Sequence, residues 1–259
     1  MFETENKIIA MVHLDALPGT PKYGGNVRRI IDRALAETEI YSAVGIGNIM
    51  IENMHDVPYL NRDAGHEISS IMTLVLYEIV TRFPVKAGIQ ILAGANKAAL
   101  AAAHSAGASF IRAEGFVFSH VADEGMMNSD AGELLRYRKS IGADNIKILT
   151  DIKKKHSSHS ITSDVSILET ARAAEFFLSD GVIVTGVATG SEPSIEEIKM
   201  LRGKISIPII AGSGITSKNA AGFLPFIDAA IIGSEFKTDG KWYNSVDRER
   251  VRTFMELVK

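Results

Sequence analysis

Charged and imidazole side chains cluster at the downstream ends of short apolar runs, where few residues other than catalytic or binding ones are tolerated. In NIKILTDIKKKH, Asp151, Lys153 and Lys155 share one parity, while Ile148 and Ile152 take the other. Side chains of a strand alternate between its faces, so one face is apolar and the other ends in charge. The same parity joins His13 to Met11, Glu52 to Met50 and Asn48, Gln90 to Gly88, and Glu114 to Arg112. Charges on an inward face are tolerable only if paired or solvated in a site. Burial and mutual repulsion push the pKa values of such groups apart, the condition for acid/base chemistry. The expected roles are Asp151 as general base or metal ligand, Glu52 as its acid/base partner, and His13 with Lys153 as electrophilic stabilisers. Adjacent cations would also make Lys153 or Lys155 a base or imine-forming nucleophile. The competing reading takes Lys153 to His156 as a solvated basic loop. A divalent metal, Zn or Mn, could be held by His13, Glu52, Asp151 and His156, although no HExxH or HxH spacing backs it. His55, His66, His104 and His120 read as surface or cap histidines.

A second group of residues could hold an anion. IIAGSGITSKNAAGFLPFIDAAIIGSEFK puts Gly212, Ser213 and Gly214 at the end of one run and Gly233-Ser234 at the end of the next. Glycine exposes backbone N–H groups, and a helix start at Thr216-Ser217 would add its dipole, so the expected ligand is phosphate. Gly186, Thr189 and Gly190 extend the same rim. The alternative is that these glycines only make tight turns.

Eight strand-like runs supply the framework: 8–14, 46–53, 85–92, 109–116, 145–152, 181–186, 207–214 and 228–234. Helical patterns fall at 27–43, 64–83, 96–106, 131–140, 164–178, 194–202, 217–225 and 246–258, each with an apolar stripe at three-to-four spacing. Ser194 with Glu197 reads as a capping box, and Ser163-Asp164 as another cap. Eight alternating pairs in 259 residues predict an α/β fold, a single (β/α)₈ TIM barrel spanning residues 1–259, with a doubly wound open sheet as runner-up. Irregular segments 15–26, 53–63 and 153–163 follow strands and so belong on the C-terminal face, which brings Asp15, Asn53 and Asp56 towards the mouth.

Hydrophobic residues make up 46% and charged residues 23%, enough for a large core. A net charge of −3 gives no general field for nucleic acid. No cysteine is present, which excludes disulfides and thiolate chemistry and fits a cytoplasmic location. No apolar stretch approaches the roughly 20 residues that cross a bilayer. Apolar helix faces make a homo-oligomer an expectation as well.

Taken together, MVHLDALPGTPKY, IMIENMHDVPY, ILTDIKKKH, VIVTGVATG, IIAGSGIT and IIGSEFK, with Lys241 and Asp247 beyond, resemble the BtpA/SgcQ family from about residue 8 to residue 255. The resemblance implies a phosphate-binding barrel with two functional labels: a photosystem I biogenesis factor, or a nucleosidase or sugar-phosphate enzyme encoded beside sugar-uptake genes. The tail also resembles phosphoribosylanthranilate isomerase, tryptophan synthase α and geranylgeranylglyceryl phosphate synthase. Those barrels lack the Asp151-to-His156 segment. The expected partner is therefore a small phosphorylated metabolite, turned over at the barrel mouth. The alternative is an assembly factor that keeps a ligand pocket.

Overall fold

The computed structural model describes residues 7–186 and 190–258. Eight parallel strands close into a barrel: β1 (Ile8–His13), β2 (Asn48–Glu52), β3 (Lys86–Gln90), β4 (Phe110–Ala113), β5 (Lys147–Ile152), β6 (Gly181–Val184), β7 (Ile209–Ala211) and β8 (Ala229–Ile232). Each pairs with its neighbours in sequence, and β8 returns to β1. The open-sheet alternative is thereby excluded. Helices α1 (Val27–Ala43), α2 (His66–Arg82), α3 (Asn96–Ala106), α4 (Ala131–Ser140), α5 (Ile167–Phe176), α6 (Ile195–Leu201), α7 (Ala220–Phe223) and α8 (Arg248–Leu257) follow the strands in order.

Period-two alternation sets the two cores. Ile8, Ala10 and Val12 face the helices, while Ile9 and Met11 join Met50, Phe110, Leu149, Ile183, Ile210 and Ile231 on the axis. Phe110 can lie there because its neighbour across β3 is Gly88. A Cβ at residue 88 would stand 2.2 Å from the Phe110 ring. This apolar layer floors the barrel, so inward residues one step further along each strand form the base of the mouth.

Local signals explain most helix boundaries. Asn26 caps α1 by accepting from the Arg29 N–H, and Asp247 caps α8. Ser166, not Ser163-Asp164, caps α5, through a full capping box with Glu169 that starts the helix at Ile167. Ser194 caps α6 by accepting from the Glu197 N–H. α7 departs most from expectation. It has four residues, and Thr216-Ser217 lies in a turn before it, so no long helix points its N-terminus at Gly212–Gly214.

One element was not expected. His120–Ala122 and Gly125–Met127 form a hairpin that pairs with Ser157–Ser158, giving a three-stranded antiparallel flap beside the mouth. The Asn61 amide ties it down by donating to the carbonyls of Glu124 and Met126.

Candidate active site at the barrel mouth

Register places three polar groups side by side at the ends of adjacent strands: His13 opposite Glu52, and Glu52 opposite Gln90. All three line a cavity of about 310 Å³, with Arg112 and Glu114 beyond them. Tyr59, Leu92 and Trp242 add apolar wall. Gly190, Gly212, Ser213, Gly214, Gly233 and Ser234 complete the lining, with Gly233 next to His13.

His13 and Glu52 form a coupled pair. The Nδ1 of His13 is 3.1 Å from the Trp242 carbonyl oxygen. A carbonyl only accepts, so Nδ1 carries the hydrogen and Nε2 presents a lone pair. That Nε2 faces the Glu52 Oε2 at 3.6 Å. Burial holds the His13 imidazole well below its usual value, with nearby Lys237 adding to the effect. Burial pushes the Glu52 carboxyl up, against the pull of Arg112 and Lys155. A carboxyl whose pKa is raised thus faces an imidazole whose pKa is lowered, so burial moves the two groups' affinities for a proton in opposite directions from their ordinary values. Gly233 leaves room for the ring, since a Cβ there would lie 3.0 Å from the His13 Cε1.

Arg112 is fixed by Asp151. Its Nε and Nη2 each donate to one Asp151 carboxylate oxygen at 2.8 Å, and the Asp151 side chain is 1% exposed. Burial alone would lower the guanidinium pKa, but the Asp151 charge and hydrogen bonds raise it further, so Arg112 is a permanent cation. With both oxygens engaged and its carboxylate behind the cavity, Asp151 is a positioning residue. Glu52, unlike Asp151, lines the cavity itself.

The three lysines that follow β5 have three different surroundings. Lys153 and His156 adopt left-handed φ values of 48° and 54°, which ends the strand alternation. Lys153 turns away from the cavity and donates to the Thr162 carbonyl at 2.9 Å, so it is not an electrophilic stabiliser at the mouth. Lys154 is buried against Glu114 at 3.1 Å. Lys155 enters the cavity, and burial followed by Arg112 lowers its amine pKa. Neither Lys154 nor Lys155 belongs to a solvated loop.

Gln90 donates its amide N–H to Glu114 Oε1 at 3.1 Å, so its Oε1 is left as an acceptor, and among the described residues that buried oxygen has no partner. The backbone N–H groups of Ser213 and Gly214 likewise find no protein acceptor among the described residues. Gly214 has φ +71°, and a Cβ there would stand 2.3 Å from the Ser191 backbone.

A family model described as the BtpA family matches residues 4–259. The chain belongs to the BtpA family. It is 48% identical over 256 residues to an uncharacterized mitochondrial protein of Caenorhabditis elegans, covering 97% of this chain and 92% of that one. It is 32% identical over 258 residues to the photosystem I biogenesis protein BtpA of Synechocystis, covering 99% and 89%. Among solved structures it resembles orotidine 5′-monophosphate decarboxylase of Methanocaldococcus jannaschii, with a TM-score of 0.62 at 14% identity over 98% of this chain and 99% of that one. Thiamine phosphate pyrophosphorylase of Pyrococcus furiosus gives 0.57 at 13%, covering 98% of each chain. At such identities these likenesses show the TIM-barrel fold.

Several expected site residues of this BtpA-family barrel serve elsewhere. Asp15 pairs with Arg33 and Arg29 outside the mouth. Asn53 and Asp56 brace the loops after β1, β2 and β3, where Asp56 accepts from the Leu17 N–H and Asn53 from the Leu92 N–H. Gly186 lies behind the rim, packed so closely on Ser191 that a Cβ would meet its carbonyl oxygen at 2.4 Å. Thr189 falls outside the described residues. His156 lines the cavity, but no three His, Asp or Glu side chains among the described residues are placed to hold a metal. His120 is buried, with no hydrogen-bond partner for Nε2 among the described residues, and His55 packs on Trp242 at 4.8 Å between ring centroids. Sequence reasoning missed Trp242, whose signal was its being the chain's one tryptophan, set in a polar loop. It also missed Lys154, and the hairpin tip Asp123-Glu124, which reaches the cavity from a segment with little apolar pattern.

Proposed function

We propose that this BtpA-family barrel is an enzyme acting on a small phosphorylated sugar or nucleoside, with acid/base chemistry at Glu52 and His13. The observation that carries the reading is a single cavity lined by the His13–Glu52 pair and by backbone N–H groups that have no acceptor among the described residues. Amides of Ser213 and Gly214 at one strand end, with Gly233-Ser234 at the next, would hold the phosphate. Orotidine 5′-monophosphate decarboxylase and thiamine phosphate pyrophosphorylase are named for phosphorylated compounds, which supports a similar ligand here. Arg112 would neutralise charge that develops on the substrate, and Gln90 Oε1 would accept from a hydroxyl or N–H. Glu52 would donate its proton in the transition state, with His13 returning it.

The test has two readouts. Inorganic phosphate or ribose 5-phosphate should change the fluorescence of Trp242 and raise the melting temperature. Glu52→Gln should retain that response but lose on the order of a hundredfold in turnover of whichever sugar phosphate is converted. Absence of any ligand response at millimolar concentration sinks the reading.

A second reading is an assembly role of the kind named for the Synechocystis relative. The consecutive Phe176, Phe177 and Leu178, exposed at the C-terminal end of α5, favour it as a contact surface. Under that reading Glu52→Gln leaves function in the host intact, whereas Phe176→Ser abolishes it.

A further inference from the structure

The amine of Lys155 stands apart from every other cation near the mouth. Arg112 is held by Asp151, Lys154 by Glu114, and Lys153 by the Thr162 carbonyl. Among the described residues the Lys155 Nζ makes no hydrogen bond or ion pair, yet its side chain lines the cavity. The backbone is built to put it there. Left-handed residues on both sides, Lys153 and His156, turn the chain so that Lys154 goes to Glu114 while Lys155 goes inward. The Lys155 N–H is pinned by the Thr185 hydroxyl oxygen at 3.0 Å. Left-handed φ is costly for such residues and persists only where the surroundings enforce it.

Arg112 already provides a permanent cation in the same cavity. Burial, and after it that guanidinium, lowers the amine pKa against the pull of Glu52, Asp151 and Glu114, which increases the share of the uncharged, nucleophilic form. Glu52 lines the same cavity with its carboxyl pKa raised by burial, which places a carboxylic acid group where carbonyl addition requires one.

We infer that Lys155 is an imine-forming nucleophile, and that the phosphorylated substrate is a ketose or aldehyde whose carbonyl carbon it attacks. This rests on the reading above and narrows it from glycoside cleavage to carbonyl chemistry. The Nζ lone pair forms the C–N bond as the C=O π pair moves to oxygen, and the nitrogen's proton passes to that oxygen, giving a neutral carbinolamine. The Glu52 carboxyl then protonates the hydroxyl, which leaves as water, while the nitrogen lone pair closes the C=N⁺ bond. Amine, carbonyl and one Glu52 proton thus become iminium, water and a Glu52 carboxylate. That carboxylate is then available to take a proton from the carbon beside the iminium, which is an electron sink. The reaction class is an aldol cleavage or a proton transfer next to a carbonyl.

The experiment is reductive trapping on the full chain. Protein is incubated with dihydroxyacetone phosphate or glyceraldehyde 3-phosphate and sodium borohydride, and adducts are mapped by peptide mass spectrometry. One adduct per chain on Lys155 is expected, lost in Lys155→Arg and in Lys155→Gln, and slowed in Glu52→Gln, with each variant checked for an unchanged melting transition. No adduct, or adducts distributed over lysines by exposure, overturns the inference. Fluorescence of Trp242 with inorganic phosphate is read in parallel. A phosphate response without an adduct removes the imine and leaves the phosphate-binding reading standing. An adduct whose formation inorganic phosphate does not slow supports the imine and removes the phosphate rim.

Discussion

Around the mouth run a wall of side chains, on β1 to β5, and a wall of backbone, after β6 to β8. The first is made of buried titratable groups that constrain each other: His13 with Glu52, Arg112 with Asp151, Lys154 with Glu114. The second offers N–H groups and glycines, with Ser213, Thr216, Ser234 and Glu235 the polar side chains among them, and Glu235 is itself engaged by the Ser217 N–H and Arg250. Side chains can be tuned in pKa by their neighbours, and amides cannot. Amides cost little reorganisation and do not titrate, which suits an anchor, whereas the tunable wall suits proton transfer. Substitutions on the two walls should therefore fail in different ways.

The largest effect is expected at the Arg112–Asp151 pair. Asp151→Asn leaves a buried guanidinium without its counter-charge and should cost about 3–5 kcal/mol of stability, read by denaturant unfolding. Pairing it with Arg112→Met should recover much of that stability while leaving turnover low. A variant that unfolds like the parent would show that the pair does not bear on the side-chain wall.

Next in size is a pH effect under the flap. Burial, with Lys154 and His159 adding to it, brings His120 down to about 4. An unfolded histidine takes its proton near pH 6.5, so this group's contribution is fully present above that pH and is lost as pH falls towards 4. The loss should reach roughly 2–3 kcal/mol. Asp130, which burial raises to about 6, acts in the opposite sense: its contribution is present below 3.8 and lost as pH rises through 6. His120→Gln should therefore flatten the decline in melting temperature between pH 6.5 and 4. An unchanged profile would mean that His120 titrates normally.

On the backbone wall the expected effect is smaller. Gly214→Ala meets both a left-handed φ of +71° and the Ser191 backbone 2.3 Å away, and should cost about 1–3 kcal/mol of stability. Ligand affinity should fall with little change in the turnover of bound substrate. A fall in turnover with unchanged affinity would reverse the assignment of the two walls.

Much of the side-chain wall could be read from sequence because period-two alternation holds wherever a strand holds. His13, Glu52, Gln90 and Arg112 were placed inward by parity alone, and they line the cavity. Alternation stops at Ile152, where the strand ends, and the fates of Lys153 and Lys155 depend on two left-handed residues that no apolar pattern announces. Asp151 was placed inward by the same parity, but parity cannot show that Arg112 on the adjacent strand takes both of its oxygens. The flap was missed for a related reason. Its strands are three residues long and partly exposed, so neither carries a buried face.

Phe110 resting over Gly88 makes the barrel a vessel closed at one end. Nothing can pass along its axis, so whatever enters past Trp242 and the flap must leave by the same opening. Any two ligands would then compete for a single doorway, and the residues that frame it would set how quickly the vessel can be emptied and refilled.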